Sequence, residues 1–224
     1  MSNFTFSYSS LSDFNLCPRK FYRTRVAKDV SEPERDHLVY GKEAHEAAEH
    51  YGRDGTPMPR KYKYIEPYVD SLVKDQPGEH LFEHKMALTE KLEVCDFGDT
   101  KRAWVRGIAD YIRLSPDRKN ALLVDYKTGK SQYADTKQLQ LLSLMLFNHV
   151  KELDEIRGGL LFVIPGELVD ATFIRDREEE YWAPWRADVK RLNASFEADT
   201  WNPKSNFTCK NFCPVTDCEY NGSF

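Results

Sequence analysis

Asp110 lies in the apolar run Trp104–Ile112, and Asp125, fifteen residues further on, lies with Lys127 at the end of a second apolar run, Ala121–Lys127. Both runs have the residue types of β-strands. A strand packed between layers avoids unpaired charge, because an uncompensated carboxylate in an apolar setting is costly. Two carboxylates and an ammonium are tolerated there when they share a divalent cation and a water. Asp125 and Lys127 are two apart, so on a strand their side chains share one face. Tyr126 points to the other face, but its backbone carbonyl is a hard oxygen ligand. Such an assembly lowers the pKa of a bound water and neutralises charge on a pentavalent phosphorane, which is what phosphodiester hydrolysis requires. The competing reading is a surface hairpin carrying an ordinary Asp–Lys pair.

The elements that would position these residues follow from periodicity. Ser9-Ser10 reads as an N-cap before a short helix over 11–16 that stops at Cys17-Pro18. Helical spacing is present over 36–53, 61–74, 135–149 and 177–199. Strand-like runs occupy 80–89, 103–113, 119–127, 158–165 and 168–175, and Pro116–Asn120 is a turn. Helices, three strands, a helix, two strands and a helix predict an α/β or α+β core, a mixed sheet with helices on its faces. Strand order is not legible at this level.

Bulk properties narrow the function classes. The chain has 224 residues, 41% hydrophobic and 30% charged, enough for one sizeable core or one core with a small appendage. Its net charge of −4 gives no global basic field, so contact with nucleic acid must rest on local patches. No apolar run reaches membrane-spanning length. The opening Met1–Ser7 lacks the basic and apolar regions of a signal peptide, which places the chain in a reducing cytoplasm. Clustered cysteines then point to metal rather than disulfides.

Three of the five cysteines, Cys209, Cys213 and Cys218, crowd the C-terminus. A closed four-thiolate site needs a fourth, from Cys17 or Cys95. Such a site would tie the tail to the N-terminal helix, and by ligand type alone it suits [4Fe–4S] or Zn²⁺. Near the N-terminus, Arg19, Lys20, Arg23 and Arg25 surround Phe21 and Tyr22. These cations could follow a strand's phosphates while an aromatic stacks on a base, or they could form a solvated face over a packed core. Lys130 and Lys137, near the Asp-x-Lys run, are open to the same two readings.

Two further motifs make the pattern specific. Gly41–Glu46 places His45 inside the 36–53 helix, and Gln138 stands on the helix after the Asp125 strand. Gly41/His45, Gly107/Asp110, Asp125/Lys127 and Gln138, in that order, resemble the RecB-type branch of the PD-(D/E)xK nucleases. So do Ser7–Leu11 and Cys17-Pro18-Arg19-Lys20-Phe21. The resemblance runs from about residue 7 to the tail. It implies a restriction-endonuclease-like α/β fold in a single nuclease domain over 1–224, with a core over about 36–175 and a Cys-metal clasp formed by 7–25 and 200–224. It further implies that His45, Asp110, Asp125 and the Tyr126 carbonyl hold Mg²⁺ or Mn²⁺, that Lys127 orients the nucleophile, and that Gln138 contacts DNA or Lys127.

By the same resemblance, Cys17, Cys209, Cys213 and Cys218 hold an iron–sulfur cluster, [4Fe–4S], with Zn²⁺ as the alternative, and Cys95 is free. This chain departs from the family twice. The tyrosine of the last motif is Leu142, and the tail reads Cys-x₃-Cys-x₄-Cys where Cys-x₂-Cys-x₅-Cys is usual. The implied function is a metal-dependent exonuclease on single-stranded or end-bearing DNA, in recombination, repair or DNA capture, of the standalone kind that phages encode. A recombination protein or a second copy of the chain would be its partner. Phe21, by the family's use of that position, packs rather than stacks on a base. A non-catalytic DNA-binding scaffold and a sequence-specific endonuclease are the competing classes. The intact Asp-x-Lys speaks against the first, and the lack of a base-reading element against the second.

Overall fold

A computed structural model describes residues 4–33 and 35–223; Met1–Asn3 of the expected leaderless start lie outside it. The chain divides into two compact units, one of residues 35–181 and one built from both ends, 1–34 with 182–224.

The larger unit carries the sheet. Its helix α3 (Asp36–Asp54) follows α1 (Tyr8–Leu16) and α2 (Pro18–Phe21) in the chain. It ends at Gly55, whose φ of 69° is the left-handed conformation that closes a helix cheaply only with glycine. The helix expected over 61–74 is a 3₁₀ segment, Arg60–Ile65, running into α4 (Glu66–Val73). Pro67 sits in the first turn of α4, where the missing N–H is tolerated.

Strands β1 (Glu79–Leu88), β2 (Val105–Leu114) and β3 (Asn120–Lys127) precede α5 (Lys137–His149). Strands β4 (Glu155–Phe162) and β5 (Glu167–Ile174) follow it, and the last helix is α6 (Glu178–Glu197). The sheet order is β1-β2-β3-β4-β5, antiparallel throughout except for the parallel β3–β4 pair. That pair is joined through α5, the crossover a parallel connection needs. The expected mixed sheet flanked by helices is therefore the fold, with the helix and strand runs found within a few residues of their expected limits. The expectation was three residues out at β4, which runs over 155–162 rather than 158–165, and at α1, which begins at Tyr8 because Ser7, not Ser9 or Ser10, caps it, with Ser10 bonding back in a capping box.

Each face of the sheet has its own core. On one, Ala44, Ala47 and Ala48 of α3 and Val69 of α4 pack with Tyr111, Val124 and Tyr126. On the other lies α5, whose residues 141–148 are all buried. Helix α5 comes down on Gly107, where an added Cβ would stand 2.7 Å from Leu142 Cδ2. Leu142, in place of the family's tyrosine, is thus part of the core, 3% exposed.

The end-built unit is aromatic. Phe21 is fully buried and packs against Phe4, Phe14 and Trp201, with ring centroids 5.3, 5.7 and 6.0 Å away. Packing is therefore the role of Phe21. Arg23 bridges Asp29 and Asp217, tying the N-terminal segment to the tail.

Candidate active site

Strand β2 changes face at the acidic position. Gly107 faces α5 while Tyr111, four residues on, faces α3 and α4, although strict alternation would put both on one side. The change falls around Asp110. The β1–β2 register pairs His84 with Ala109 and Phe82 with Tyr111, and skips Glu83 opposite Asp110. Glu83 has a φ of 45°, a strained value for a residue with a side chain. The β2–β3 ladder also ends here, its last pair being Tyr111–Val124. Beyond it, the Tyr126 N–H donates to Asp110 Oδ2 at 2.7 Å, so a side-chain carboxylate takes over where the partner strand departs.

His45 reaches this carboxylate from α3, its Nδ1 3.2 Å from Asp110 Oδ2. The helix comes close enough because residue 41 is glycine; a Cβ there would meet Thr128 Oγ1 at 3.3 Å. His45, Glu83 and Asp110 each bring one ligand atom within 4.8 Å of the others, a grouping able to hold a metal ion. Glu83 was not anticipated. Glu83 follows Leu81-Phe82 but precedes His84-Lys85, so it does not stand out in the sequence as Asp110 does; the register sets it opposite Asp110.

Asp125 is next to this group and 2% exposed. Lys127 Nζ stands 2.5 Å from its Oδ2, a close ion pair with a buried carboxylate. Gln138, on the first turn of α5, joins the pair: its Nε2 donates to Asp125 Oδ1 at 2.5 Å and its Oε1 accepts from Lys127 Nζ at 2.9 Å. The Tyr126 side chain points away into the α3/α4 core, as alternation required.

The electrostatics are those of a site short of positive charge. Burial, then the Asp110 and Glu49 carboxylates, push Glu83 up to about 7. Burial and Asp110 push Asp125 up to about 6, against the pull of Lys127. Burial, the largest single influence, lowers the His45 pKa, but its bond to Asp110 and the charges of Asp110 and Asp125 together outweigh this and hold it above the usual value. Crowded hard carboxylates and an imidazole fit a divalent cation.

The expected thiols lie in the other unit. Cys17, Cys209, Cys213 and Cys218 all line one narrow cavity, with Arg19 and Lys20 at its wall. Cys95 is elsewhere, in the sheet unit, as a free thiol. Burial, with Cys209 and Cys17 nearby, raises the Cys213 thiol pKa. Among the described residues no three of these sulfurs group as tightly as the His45 cluster does. Of the expected DNA contacts, Lys20 is buried and paired with Glu32, Arg23 is paired twice, and Lys130 is exposed.

Comparison with known proteins gives the family and the fold. Residues 5–220 match the PD-(D/E)XK nuclease superfamily, and the chain belongs to it. Nucleases of this superfamily use divalent metals, and the His45–Glu83–Asp110 group offers this chain a place for one. None of the curated proteins matches the chain. Among solved structures, one from Eubacterium rectale named "Putative exonuclease" superposes with a TM-score of 0.55 at 11% identity, covering 97% of this chain and 90% of that one. The crystal structure of SSO0001 gives 0.45 at 12% identity, over 97% and 87%. The first shares the fold. Among the described residues no helix is long and apolar enough to cross a membrane.

Proposed function

We propose that the chain is a Mg²⁺- or Mn²⁺-dependent DNA exonuclease acting on single strands or DNA ends. The observation that carries this reading is the convergence of His45, Asp110 and Glu83 beside the Asp125–Lys127–Gln138 triplet. His45, Asp110, Asp125 and the Tyr126 carbonyl hold the ion, with Glu83 added to the expected set. The bound ion supplies a water of lowered pKa and charge neutralisation at the phosphate. Lys127 orients that water or the attacked phosphate. Gln138 fixes the Lys127 ammonium and the Asp125 carboxylate relative to each other, a positioning role. Arg19 and Lys130 are the accessible cations of the expected DNA-contact set; Lys20 and Arg23 would have to exchange their carboxylate partners for phosphate.

The thiol cavity is read as a [4Fe–4S] site that clasps the two chain ends. What supports this reading is that all four thiols line one cavity, with Zn²⁺ as the alternative. A brown protein with thiolate-to-iron absorption supports it, and a colourless one carrying zinc rejects it. A role in recombination, repair or DNA capture, in the cytoplasm, with a recombination protein or a second copy as partner, is the setting this activity suits.

The test is hydrolysis of end-labelled DNA with Mg²⁺ or Mn²⁺. Wild type should release nucleotides from an end, and Asp125→Ala and Lys127→Ala should lose at least about a thousandfold. If all three are equally inert on every DNA form, the chain is a binding scaffold.

A further inference from the structure

Directly opposed residues of an antiparallel pair present their side chains on one face. Lys85 stands opposite Ile108, and Ala87 opposite Arg106. Ile108 lines the pocket with His45, Glu83 and Asp110, so Lys85 and Arg106 continue that face away from it. At about 3.3 Å per residue, Lys85 lies about 7 Å along β1 from Glu83, and Arg106 about 13 Å along β2 from Asp110.

Both cations meet one ring. Phe97, on the loop between the two strands, has Lys85 Nζ 5.8 Å and Arg106 Cζ 5.6 Å from its centroid. Lys85 is exposed. Arg106 Nε and Nη2 are buried with no hydrogen-bond partner among the described residues. Two guanidinium donors held from water with no acceptor are costly, and a ring face offsets only part of that cost. Its chemistry calls for an anion from outside the chain. Cations flanking an aromatic ring, in line with a hydrolytic pocket, are the parts of a single-strand-binding groove.

We propose that Lys85, Arg106 and Phe97 form the track that leads single-stranded DNA to the pocket, an inference that rests on the nuclease reading and specifies its substrate. Phosphates lie on the two cations. A base stacks on Phe97, and the ring's movement off the guanidinium frees Arg106 Nε and Nη2 for phosphate.

The test is binding of a labelled oligothymidine by the full chain in EDTA, where no hydrolysis occurs, across a salt series. Lys85→Gln and Arg106→Gln should each flatten the slope of log K against log salt by about 0.7, and Arg106→Lys should restore it. Phe97→Ala should weaken binding about tenfold and leave the slope unchanged. Slopes unchanged in both cation variants overturn the track, as does blunt duplex binding with equal affinity and equal losses. Should Arg106→Gln fail to fold, Lys85→Gln, at an exposed site, and Phe97→Ala decide the matter. A wild type that binds through these residues but hydrolyses no DNA with Mn²⁺ refutes the nuclease reading alone. One that hydrolyses DNA while every variant binds as it does refutes the track alone.

Discussion

Asp110 Oδ2 accepts the Tyr126 N–H at 2.7 Å at the point where β2 and β3 part, and the same oxygen faces His45 Nδ1 at 3.2 Å. One carboxylate thus closes the sheet and opens the site. Its two jobs separate by mutation. Asp110→Asn keeps an acceptor for Tyr126 and should cost little stability, while Asp110→Ala leaves that N–H unmatched and should cost about 1–3 kcal/mol. Both should lose hydrolysis by at least about a hundredfold. Urea melts and a nuclease assay on the two variants check this, and an active Asn variant would remove Asp110 from the metal set.

Gln138 holds Asp125 and Lys127 together, donating to one and accepting from the other. Gln138→Ala should lower kcat about 10- to 100-fold, the usual cost of losing a partner that orients a metal ligand or catalytic group, with KM for DNA nearly unchanged. Steady-state kinetics decide; a change confined to KM would make Gln138 a DNA contact instead.

Much of this was legible in the residues because charge inside apolar runs is a loud signal. Asp110, Asp125 and Lys127 could be read from their neighbours, His45 only through the likeness of Gly41/His45 to a nuclease motif, and the strand and helix runs from periodicity. Glu83 could not, because its meaning depends on β1–β2 register, a long-range fact. Nor could the reversal of faces between Gly107 and Tyr111, since a strand that switches sides breaks the two-residue period used to read it. Leu142 was a puzzle as a missing tyrosine and is plain as the residue packed over Gly107. The basic segment at 19–25 read as a nucleic-acid contact, but charge alone does not reveal that Lys20 and Arg23 already have Glu32, Asp29 and Asp217.

The pH dependence has a definite sign. Glu83 is raised from 4.5 to about 7 and Asp125 from 3.8 to about 6, chiefly by burial and then by Asp110. A carboxyl raised in the folded state holds its proton more tightly there than in the unfolded chain, so stability falls as pH climbs through that window. His45, also raised, adds stability at low pH that is lost as pH rises through its folded value. Metal-free protein should therefore melt at lower temperature as pH goes from about 4 to about 7, and Glu83→Gln should flatten the upper part of that fall. Mn²⁺ displaces these protons, so it should raise Tm more at about pH 8 than at about pH 5.5. Calorimetry across pH, with and without Mn²⁺, is the check; a Tm that rises with pH in EDTA contradicts the assignment.

The Tyr126 hydroxyl is buried and has no partner among the described residues, in a core of alanines and aromatics. Tyr126→Phe removes an unmatched polar group without changing shape. It should be neutral or stabilising by about 1 kcal/mol in a urea melt. A loss of more than that would mean the hydroxyl has a partner, such as a buried water.

The convergence of His45, Glu83 and Asp110 with Asp125 on one hard cation is tested most directly by Mn²⁺ titration of the full chain, followed by calorimetry or electron paramagnetic resonance. Wild type should take up Mn²⁺ with release of protons, and Asp110→Asn should bind at least about tenfold more weakly. Equal Mn²⁺ uptake by both proteins, or none by wild type, contradicts the account.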